Sequence, residues 1–305
     1  MTTLIDKVGS AKRVPAFNYS EIFGKTFQGE GHYTGVPTVW IRFWGCNFNC
    51  NGFGQDNPDD PSSYILDHED IDASKYATME ELPVFHRGCD SSYSWAQKFQ
   101  ALAHKGTGEE IADDILSLLP GGEWVHPKSG QPHHLAFTGG EPLMSQSAIV
   151  AIMEAFKVKG KMPTHITIET NGTQSIRGKF HDVMEEFVEN GGELFWSVSP
   201  KLYLSGEQWD QAILPDVVEE YFALSPVGQL KYVCNGSDRN WEEVEEATEL
   251  YRDAGITWPV WIMPVGADRE MQESHQAVIA EQAIERGYSV AARVHTWVFG
   301  NVIGK

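Results

Sequence analysis

The sequence predicts an α/β fold, because short apolar segments rich in β-branched and aromatic residues alternate with segments of helical periodicity. Strands that are separated by helices pair in parallel through right-handed crossovers. The polar and glycine-rich motifs fall where the predicted strands end, which is where an α/β barrel builds its active site. With 305 residues, the chain is long enough for one large domain of this class or two smaller ones.

Six strands and six helices are predicted in alternation. The first strand, Pro37 to Phe43, is predicted to be buried and leads into Cys46. The strands that follow are predicted at 134–138, 165–170, 194–199, 229–234 and 260–263. The helices are predicted at approximately 108–119, 146–158, 176–190, 207–223, 239–254 and 269–286. The segment 289–298 is predicted to be a closing strand.

The segment 51–88 differs in composition from the rest of the chain. It contains nine acidic residues, two basic residues and three prolines, and its apolar residues show weak periodicity. Loops of this length without regular structure are usually functional or partly disordered. We therefore expect 51–88 to be an insertion on the surface, with one short helix near 77–82.

The net charge of −20 at pH 7 argues against several classes of partner. An acidic surface repels phosphate backbones and anionic membranes, so neither a nucleic acid nor a membrane is expected as a partner. No apolar run approaches the length that crosses a bilayer, and the first residues lack the layout of a secretory signal. Four cysteines are too few for a disulfide scaffold and favour metal-binding thiols in a reducing cytoplasm.

Three cysteines lie in two pieces of sequence that resemble one divided motif. The segment 43–50 contains Cys46 and Cys50, and the second piece begins at Cys89. Without most of 51–88 the two pieces would join as C-x3-C-x2-C. Three thiolates can hold an iron–sulfur cluster while one iron stays free of protein ligands, and such an iron can bind a small molecule.

The spacing of the cysteines alone leaves other interpretations open. They could be inert core residues, or they could bind zinc together with a histidine such as His86. Closing a longer loop costs only about 1–2 kcal/mol, so 51–88 does not prevent Cys89 from reaching the other two cysteines. Cys234 lies in a predicted strand and is expected to be a small core residue.

Several short elements occur together in a specific order, although each is weak alone. They are Gln28-Gly29-Glu30-Gly31, Cys89-Asp90-Ser91, Gly139-Gly140-Glu141-Pro142, Glu169-Thr170-Asn171-Gly172, Ser199-Pro200-Lys201 and His295. In these elements the chain resembles the 7-carboxy-7-deazaguanine synthases, which are radical S-adenosylmethionine (SAM) enzymes of the 7-deazaguanine (queuosine-precursor) pathway. The resemblance runs from about residue 20 to the end of the sequence, apart from 51–88.

The sequence departs from the family pattern in the loop that would bind the cluster. The family generally has two residues between its second and third cysteines, whereas 38 residues separate Cys50 from Cys89. Phe53 occupies the position that the usual spacing gives to cysteine. Cys89 is assigned as the third ligand because an Asp-Ser pair and the aromatic Trp95 follow it, as in the family.

The resemblance implies a partial (β/α)6 barrel of the radical SAM type, formed by a single domain 1–305 with 51–88 inserted in the cluster loop. It implies a carbon–nitrogen lyase that converts 6-carboxy-5,6,7,8-tetrahydropterin to 7-carboxy-7-deazaguanine by radical ring contraction with loss of ammonia. The implied cofactors are a 4Fe-4S cluster, SAM and Mg2+. An electron donor such as flavodoxin or ferredoxin, a homodimer and a cytoplasmic location are further expectations.

The family's site residues can be placed on the matching positions of this sequence. The cluster would be held by Cys46, Cys50 and Cys89, and Mg2+ by the hydroxyl of Ser91. SAM would contact Gly139, Gly140, Glu141, Glu169, Ser199, Pro200 and Lys201. The pterin would contact Phe27, Gln28, Gly29, Arg42, Thr138 and His295. No protein acid or base is implied, because the radical comes from the cofactors.

Alternatives remain for single residues and for the function. Arg42 suits the substrate carboxylate, but a salt bridge inside the barrel mouth is an equal alternative. Glu169 could bind ribose hydroxyls or cap the next helix. An activase that makes a glycyl radical on a partner protein would share the cluster and SAM but would need an open groove. A non-catalytic zinc-binding or scaffold protein that has lost its cluster is the third possibility.

Overall fold

The computed structural model describes residues 14–267, 269–300 and 302–304. Within these residues, strands and helices alternate along most of the chain, and the predicted α/β class is confirmed. The strands are Ala16–Phe27 (β1), Pro37–Phe43 (β2), His104–Thr107 (β3), His134–Gly139 (β4), His165–Thr170 (β5), Glu193–Val198 (β6), Gly228–Cys234 (β7), Val260–Pro264 (β8) and Ser289–Val290 (β9).

The strands form one open, mixed sheet in the order β3-β1-β2-β4-β5-β6-β7-β8-β9. From β2 to β9 all neighbouring strands are parallel, whereas β1 is antiparallel to both β2 and β3. The carboxyl ends of the parallel strands therefore meet at one edge of the sheet. Most side chains of β4 and β6 are buried, as expected for strands covered on both faces.

The helices pack on the sheet and share the large apolar core with the strands. They are Gly108–Ser117 (α1), Gln146–Lys159 (α2), Gly178–Glu189 (α3), Trp209–Ala212 (α4), Pro215–Leu224 (α5), Asp238–Asp253 (α6), Arg269–Glu273 (α7), Gln276–Glu285 (α8) and Val294–Phe299 (α9). The start of α1 is fixed by a capping box, in which Thr107 and Glu110 each bind the other's backbone N–H. No helix among the described residues has the length and apolar character of a membrane span.

Three predicted elements differ from the structure. The helix predicted at 207–223 is divided into α4 and α5, because Pro215 cannot donate a backbone hydrogen bond and begins a new helix. The helix predicted at 269–286 is likewise divided into α7 and α8. The closing strand predicted at 289–298 is wrong beyond Val290, since α9 begins at Val294.

The segment 51–88 contains short 3-10 helices and neither an α-helix nor a strand. The short helix predicted near 77–82 is a single 3-10 turn at Met79–Glu81. Around this turn a separate apolar cluster forms, in which the buried Met79, Leu82 and Phe85 pack with Tyr93, Ala96 and Phe99. The two ends of the segment meet where the N–H of Gly88 donates to the carbonyl of Phe53 at 2.7 Å. The chain thus leaves and re-enters the sheet region at one place.

Candidate active site

A cavity of about 290 Å³ lies at the carboxyl ends of the parallel strands. All of the predicted site residues except Glu141 and Pro200 line it. They are Phe27, Gln28, Gly29, Arg42, Cys46, Cys50, Cys89, Ser91, Thr138, Gly139, Gly140, Glu169, Ser199, Lys201 and His295. The structure therefore gathers residues from distant parts of the chain around one space large enough for small molecules.

The three predicted cluster cysteines, hereafter the cysteine wall, lie together in a small apolar cluster. Cys46, Cys50 and Cys89 pack there with Phe48 and Phe53. Cys89 reaches this position because the ends of 51–88 are joined by the hydrogen bond between Gly88 and Phe53. The thiol that is most distant in sequence is thus a spatial neighbour of the other two.

Burial sets the protonation state of the cysteine wall. It raises the pKa of Cys46 to about 12 and raises the pKa of Cys50 well above its ordinary value. The pKa of Cys89 is also raised, mainly by burial and then by the nearby Asp90 carboxylate. Metal ligation requires the negatively charged thiolate, which burial disfavours. The positive charge of a bound metal would stabilise the thiolates and offset the effect of burial. The donor set of three soft sulfur atoms fits an iron–sulfur cluster.

A site for a single metal ion, such as zinc, requires several ligand side chains to converge on one position. Among the described residues, no group of three or more His, Cys, Asp or Glu side chains converges on a position that could hold one metal ion. His86, which the zinc alternative would use, lines the cavity as an exposed residue.

The segment Gly139–Glu141 packs directly on the loop that carries Cys46. The N–H of Glu141 donates to the carbonyl of Gly45 at 2.8 Å. A Cβ atom on Gly140 would lie 2.3 Å from that carbonyl oxygen and 2.7 Å from the Cβ of Cys46. Glycine is therefore required at 140 by the close approach of two backbone segments. This contact holds the predicted SAM-binding segment against the cysteine wall.

Glu141 and Pro200 are placed behind the cavity wall. The carboxylate of Glu141 is fully buried and accepts hydrogen bonds from the backbone N–H of Leu143 and Asn171 and from the hydroxyl of Thr170. Burial raises the pKa of this carboxyl group. In this structure Glu141 joins the ends of β4 and β5 instead of facing the cavity, and Pro200 is buried beside the lining residues.

Charged side chains also line the cavity, and the set Glu30, Asp90, Glu169, Lys231 and Arg293 is hereafter called the charged wall. The Glu30 carboxylate pairs with Lys231 and, at 2.9 Å, with Arg293. Arg293 also binds Asp90 at 3.0 Å. Burial alone would raise the pKa of Glu30, but the two cations outweigh it and hold the pKa well below its ordinary value.

Glu169 lies among the residues predicted to contact the pterin. Its carboxylate accepts hydrogen bonds from the Gln28 amide at 3.2 Å and from the Thr138 hydroxyl at 3.4 Å. Lys231 lies 3.9 Å from the same carboxylate. Glu169 does not cap the next helix, because α3 begins after Arg177.

The salt bridge that was the alternative for Arg42 is present. Its Nε donates to the buried carboxylate of Glu21 at 2.8 Å, and a terminal nitrogen donates to the Ser91 hydroxyl at 3.3 Å. Tyr93 also donates to Glu21 at 2.8 Å. Arg42 still lines the cavity, so one guanidinium serves both the internal pair and the cavity surface.

His295 approaches the cavity because α9 turns back onto the Gln28–Gly29 segment. The N–H of Val294 donates to the carbonyl of Gly29 at 2.9 Å. A Cβ atom on Gly29 would lie 1.8 Å from Nδ1 of His295, so the contact requires glycine. Burial lowers the pKa of His295 to about 4, which keeps the imidazole neutral at pH 7.

Several residues of the charged wall were not assigned from the sequence. Glu30 belongs to a quoted motif but had no role, and Arg293 lies two residues before His295. Lys231 carried a usable signal, because Gln229 and Lys231 are polar residues at alternate positions of an otherwise apolar strand. Both are almost completely buried, which places one polar face of β7 toward the site.

Two relatives of similar sequence carry the same name. The chain is 27% identical to the 7-carboxy-7-deazaguanine synthase of Rhodopirellula baltica, over 92% of this chain and 88% of the relative. It is 26% identical to the synthase of the same name from Pyrobaculum aerophilum, over 95% and 98% of the two chains. The resemblance to the 7-carboxy-7-deazaguanine synthases is confirmed. It extends over nearly the whole length of both relatives.

No protein-family model matches the chain. Among solved structures, the fold is similar to that of QueE from Escherichia coli, with a TM-score of 0.50 and 19% sequence identity. The superposition covers 92% of this chain and 95% of the QueE chain. At this identity the likeness establishes a shared α/β fold.

Proposed function

We propose that this chain is a radical SAM enzyme, a carbon–nitrogen lyase, that converts 6-carboxy-5,6,7,8-tetrahydropterin to 7-carboxy-7-deazaguanine. The observation that carries the proposal is the meeting of Cys46, Cys50 and Cys89 at a cavity that is also lined by paired charged side chains. Relatives that align over most of their length are named for this product. The combination suits a reaction in which a metal cluster and a polar substrate share one space.

The fold suits this class of enzyme. The strands β2, β4, β5, β6, β7 and β8 are six consecutive parallel strands, and the cavity lies at their carboxyl ends. We describe them as a partial (β/α)6 barrel of the radical SAM type. In the same proposal residues 1–305 form one domain, and 51–88 is an insertion within the cluster loop.

The cofactors would be held at the cysteine wall and beside it. Cys46, Cys50 and Cys89 would ligate a 4Fe-4S cluster, and the adjoining Gly139, Gly140, Ser199 and Lys201 would contact SAM. When bound, the cluster and SAM supply the 5′-deoxyadenosyl radical that starts the ring contraction. The protein contributes position and shielding from water, which Phe27, Trp40, Phe48 and Phe53 provide along the lining.

The charged wall would bind the pterin. The amide of Gln28, which donates to the Glu169 carboxylate at 3.2 Å, would supply donor and acceptor atoms to a pterin edge. Glu169 itself stays a proposed contact of SAM. The substrate carboxylate would lie against the cations of Arg42, Lys231 and Arg293. The hydroxyl of Ser91, which is 3.2 Å from the Asp90 carboxylate, would supply a hard oxygen ligand for Mg2+.

The partners follow from the chemistry. Reduction of the cluster needs an external electron donor such as flavodoxin or ferredoxin. We also propose a homodimer. We propose a cytoplasmic location because oxygen-sensitive clusters are suited to a reducing compartment.

The test is anaerobic reconstitution with iron and sulfide, followed by incubation with SAM, Mg2+, a reductant and the carboxypterin. We expect 7-carboxy-7-deazaguanine and ammonia, detected by mass spectrometry and an ammonia assay. An iron-loaded protein that cleaves SAM and leaves the pterin unchanged would contradict the proposed substrate. The glycyl-radical activase would then be tested with candidate protein partners.

A further inference from the structure

The loop that carries Cys50 is held by an acidic residue from a distant part of the chain. Oε1 of Glu207 accepts the backbone N–H of Asn49 at 2.9 Å and that of Cys50 at 2.7 Å. Glu207 lies 157 residues from Cys50 in sequence and shortly after the Ser199–Lys201 element. A single carboxylate oxygen therefore connects the cysteine wall to the loop that follows the predicted SAM-binding element Ser199–Lys201.

The conformation of Cys50 explains why such a contact is needed. Its φ of +50° lies in the left-handed region, which residues other than glycine adopt at an energetic cost. The N–H of Cys50 is partly buried, and without an acceptor it would destabilise the folded state. A carboxylate gives the stronger, charge-assisted form of this hydrogen bond. The strained backbone directs the Cys50 thiol into the apolar cluster that it shares with Cys46 and Cys89.

Glu207 is itself positioned by the loop 203–207. Its N–H donates to the Ser205 hydroxyl at 3.2 Å. The carbonyl of Ser205 accepts the N–H of Gly52 at 2.9 Å, two residues after Cys50. The loop thus binds the backbone before and after the bend at Cys50, and the contact with Glu207 is part of a built arrangement.

We propose that Glu207 is a positioning residue for the cluster loop: it holds Cys50 in its left-handed conformation and its negative charge keeps the reduction potential of the cluster low. This inference rests on the proposed function. A fixed anion near a cluster disfavours the addition of an electron, because the reduced cluster carries more negative charge. The same carboxylate is among the charges that act, after burial, to raise the pKa of the Cys50 thiol.

Two variants separate position from charge. Glu207→Gln keeps an amide oxygen that can accept both N–H groups but removes the charge, whereas Glu207→Ala removes both. Glu219→Gln, at an exposed position of α5, is the charge-matched control. Each protein is reconstituted anaerobically with iron and sulfide, desalted, and assayed for iron content. The potential is then measured by a redox titration followed by electron paramagnetic resonance.

We expect Glu207→Gln and Glu219→Gln to load iron as the wild type does, and only Glu207→Gln to shift the potential to a more positive value. We expect Glu207→Ala to lose at least half of its iron. Wild-type iron content in Glu207→Ala would overturn the positioning role, and an unchanged potential in Glu207→Gln would overturn the charge role.

Hydrogen exchange of the metal-free protein separates this inference from the proposed function. We expect the amides of Asn49 and Cys50 to exchange several-fold faster in Glu207→Ala than in wild type, whatever metal the protein binds. If wild type binds no four-iron cluster but shows this difference, the proposed function fails and the positioning role stands. Equal exchange rates in the two proteins would remove the positioning role. If Glu207→Ala does not fold, Glu207→Leu, which keeps the bulk of the side chain without a hydrogen-bond acceptor, replaces it in the iron and exchange measurements with the same expected and contradicting results.

Discussion

The cysteine wall and the charged wall face the same cavity but differ in how their interactions are satisfied. In the charged wall Glu30 is already paired with Lys231 and Arg293, and Arg293 is also paired with Asp90. In the cysteine wall the thiols lie among apolar side chains such as Phe48 and Phe53, and burial opposes their ionisation. The charged wall is organised before any ligand binds, whereas the cysteine wall would be completed by the proposed cluster.

This difference indicates how each wall responds to substitution. Loss of a thiol is expected to affect cofactor binding with little effect on the fold, because the main interaction proposed for each thiol is with the cluster. Loss of a charge is expected to affect the fold itself, because its partner remains buried without compensation. The following predictions test that contrast, beginning with the largest effect.

The substitution Cys89→Ala is expected to abolish four-iron loading, because Cys89 shares the apolar cluster with Cys46 and Cys50. The measurement is iron and sulfide content after anaerobic reconstitution. Cys234→Ala is the matched control, since Cys234 is a completely buried cysteine of β7. It should load iron as the wild type does. Full four-iron stoichiometry in Cys89→Ala would remove Cys89 from the ligand set.

The substitution Glu30→Gln is expected to lower the free energy of unfolding by about 3 kcal/mol, because it leaves Lys231 and Arg293 buried with less compensation. The measurement is urea denaturation at pH 7. Asp59→Asn is the control, since the ion pair between Asp59 and Arg239 is about half exposed and should contribute less than about 1 kcal/mol. Equal losses in the two variants would show that the charged wall is not preorganised by its ion pairs.

The same contrast explains what could be predicted from the sequence. Six of the parallel strands were predicted near their observed positions, because each is rich in apolar, β-branched or aromatic residues and ends at a polar or glycine-rich motif. The spacing of the cysteines left several interpretations open, and Cys89 was assigned to the cysteine wall through the family resemblance of the residues that follow it, although 51–88 interrupts the motif. Such local patterns are visible in a single sequence.

The charged wall could not be predicted in the same way, because its pairs join distant residues. Glu30 and Lys231 are 201 residues apart, and Glu30 and Arg293 are 263 residues apart. Their pairing follows from the closeness of β1, β7 and the C-terminal segment in the folded chain. The strand β1 was also missed, because its register with β2 is irregular and Lys25 interrupts it with a φ of +54°.

The smallest predicted effect is the dependence of the free energy of unfolding on pH, which distinguishes the contribution of the histidines from that of the ion pairs. Burial lowers the pKa of both His295 and His134 from 6.5 to about 4. Between pH 6.5 and pH 4 the unfolded chain binds more protons than the folded chain. The free energy of unfolding should therefore fall as the pH drops from 7 to 5, by about 1–2 kcal/mol per histidine.

The pairs of Glu30 and Asp90 should persist over that range, because the pKa of each carboxyl is lowered and protonation would begin only below its ordinary value of about 4. The measurement is urea denaturation at pH 7, 6 and 5 for wild type and for His295→Phe. The variant should lose part of the pH dependence, and His134→Phe should lose a similar part. An unchanged slope in both variants would instead attribute the acid sensitivity to the carboxylates of the charged wall.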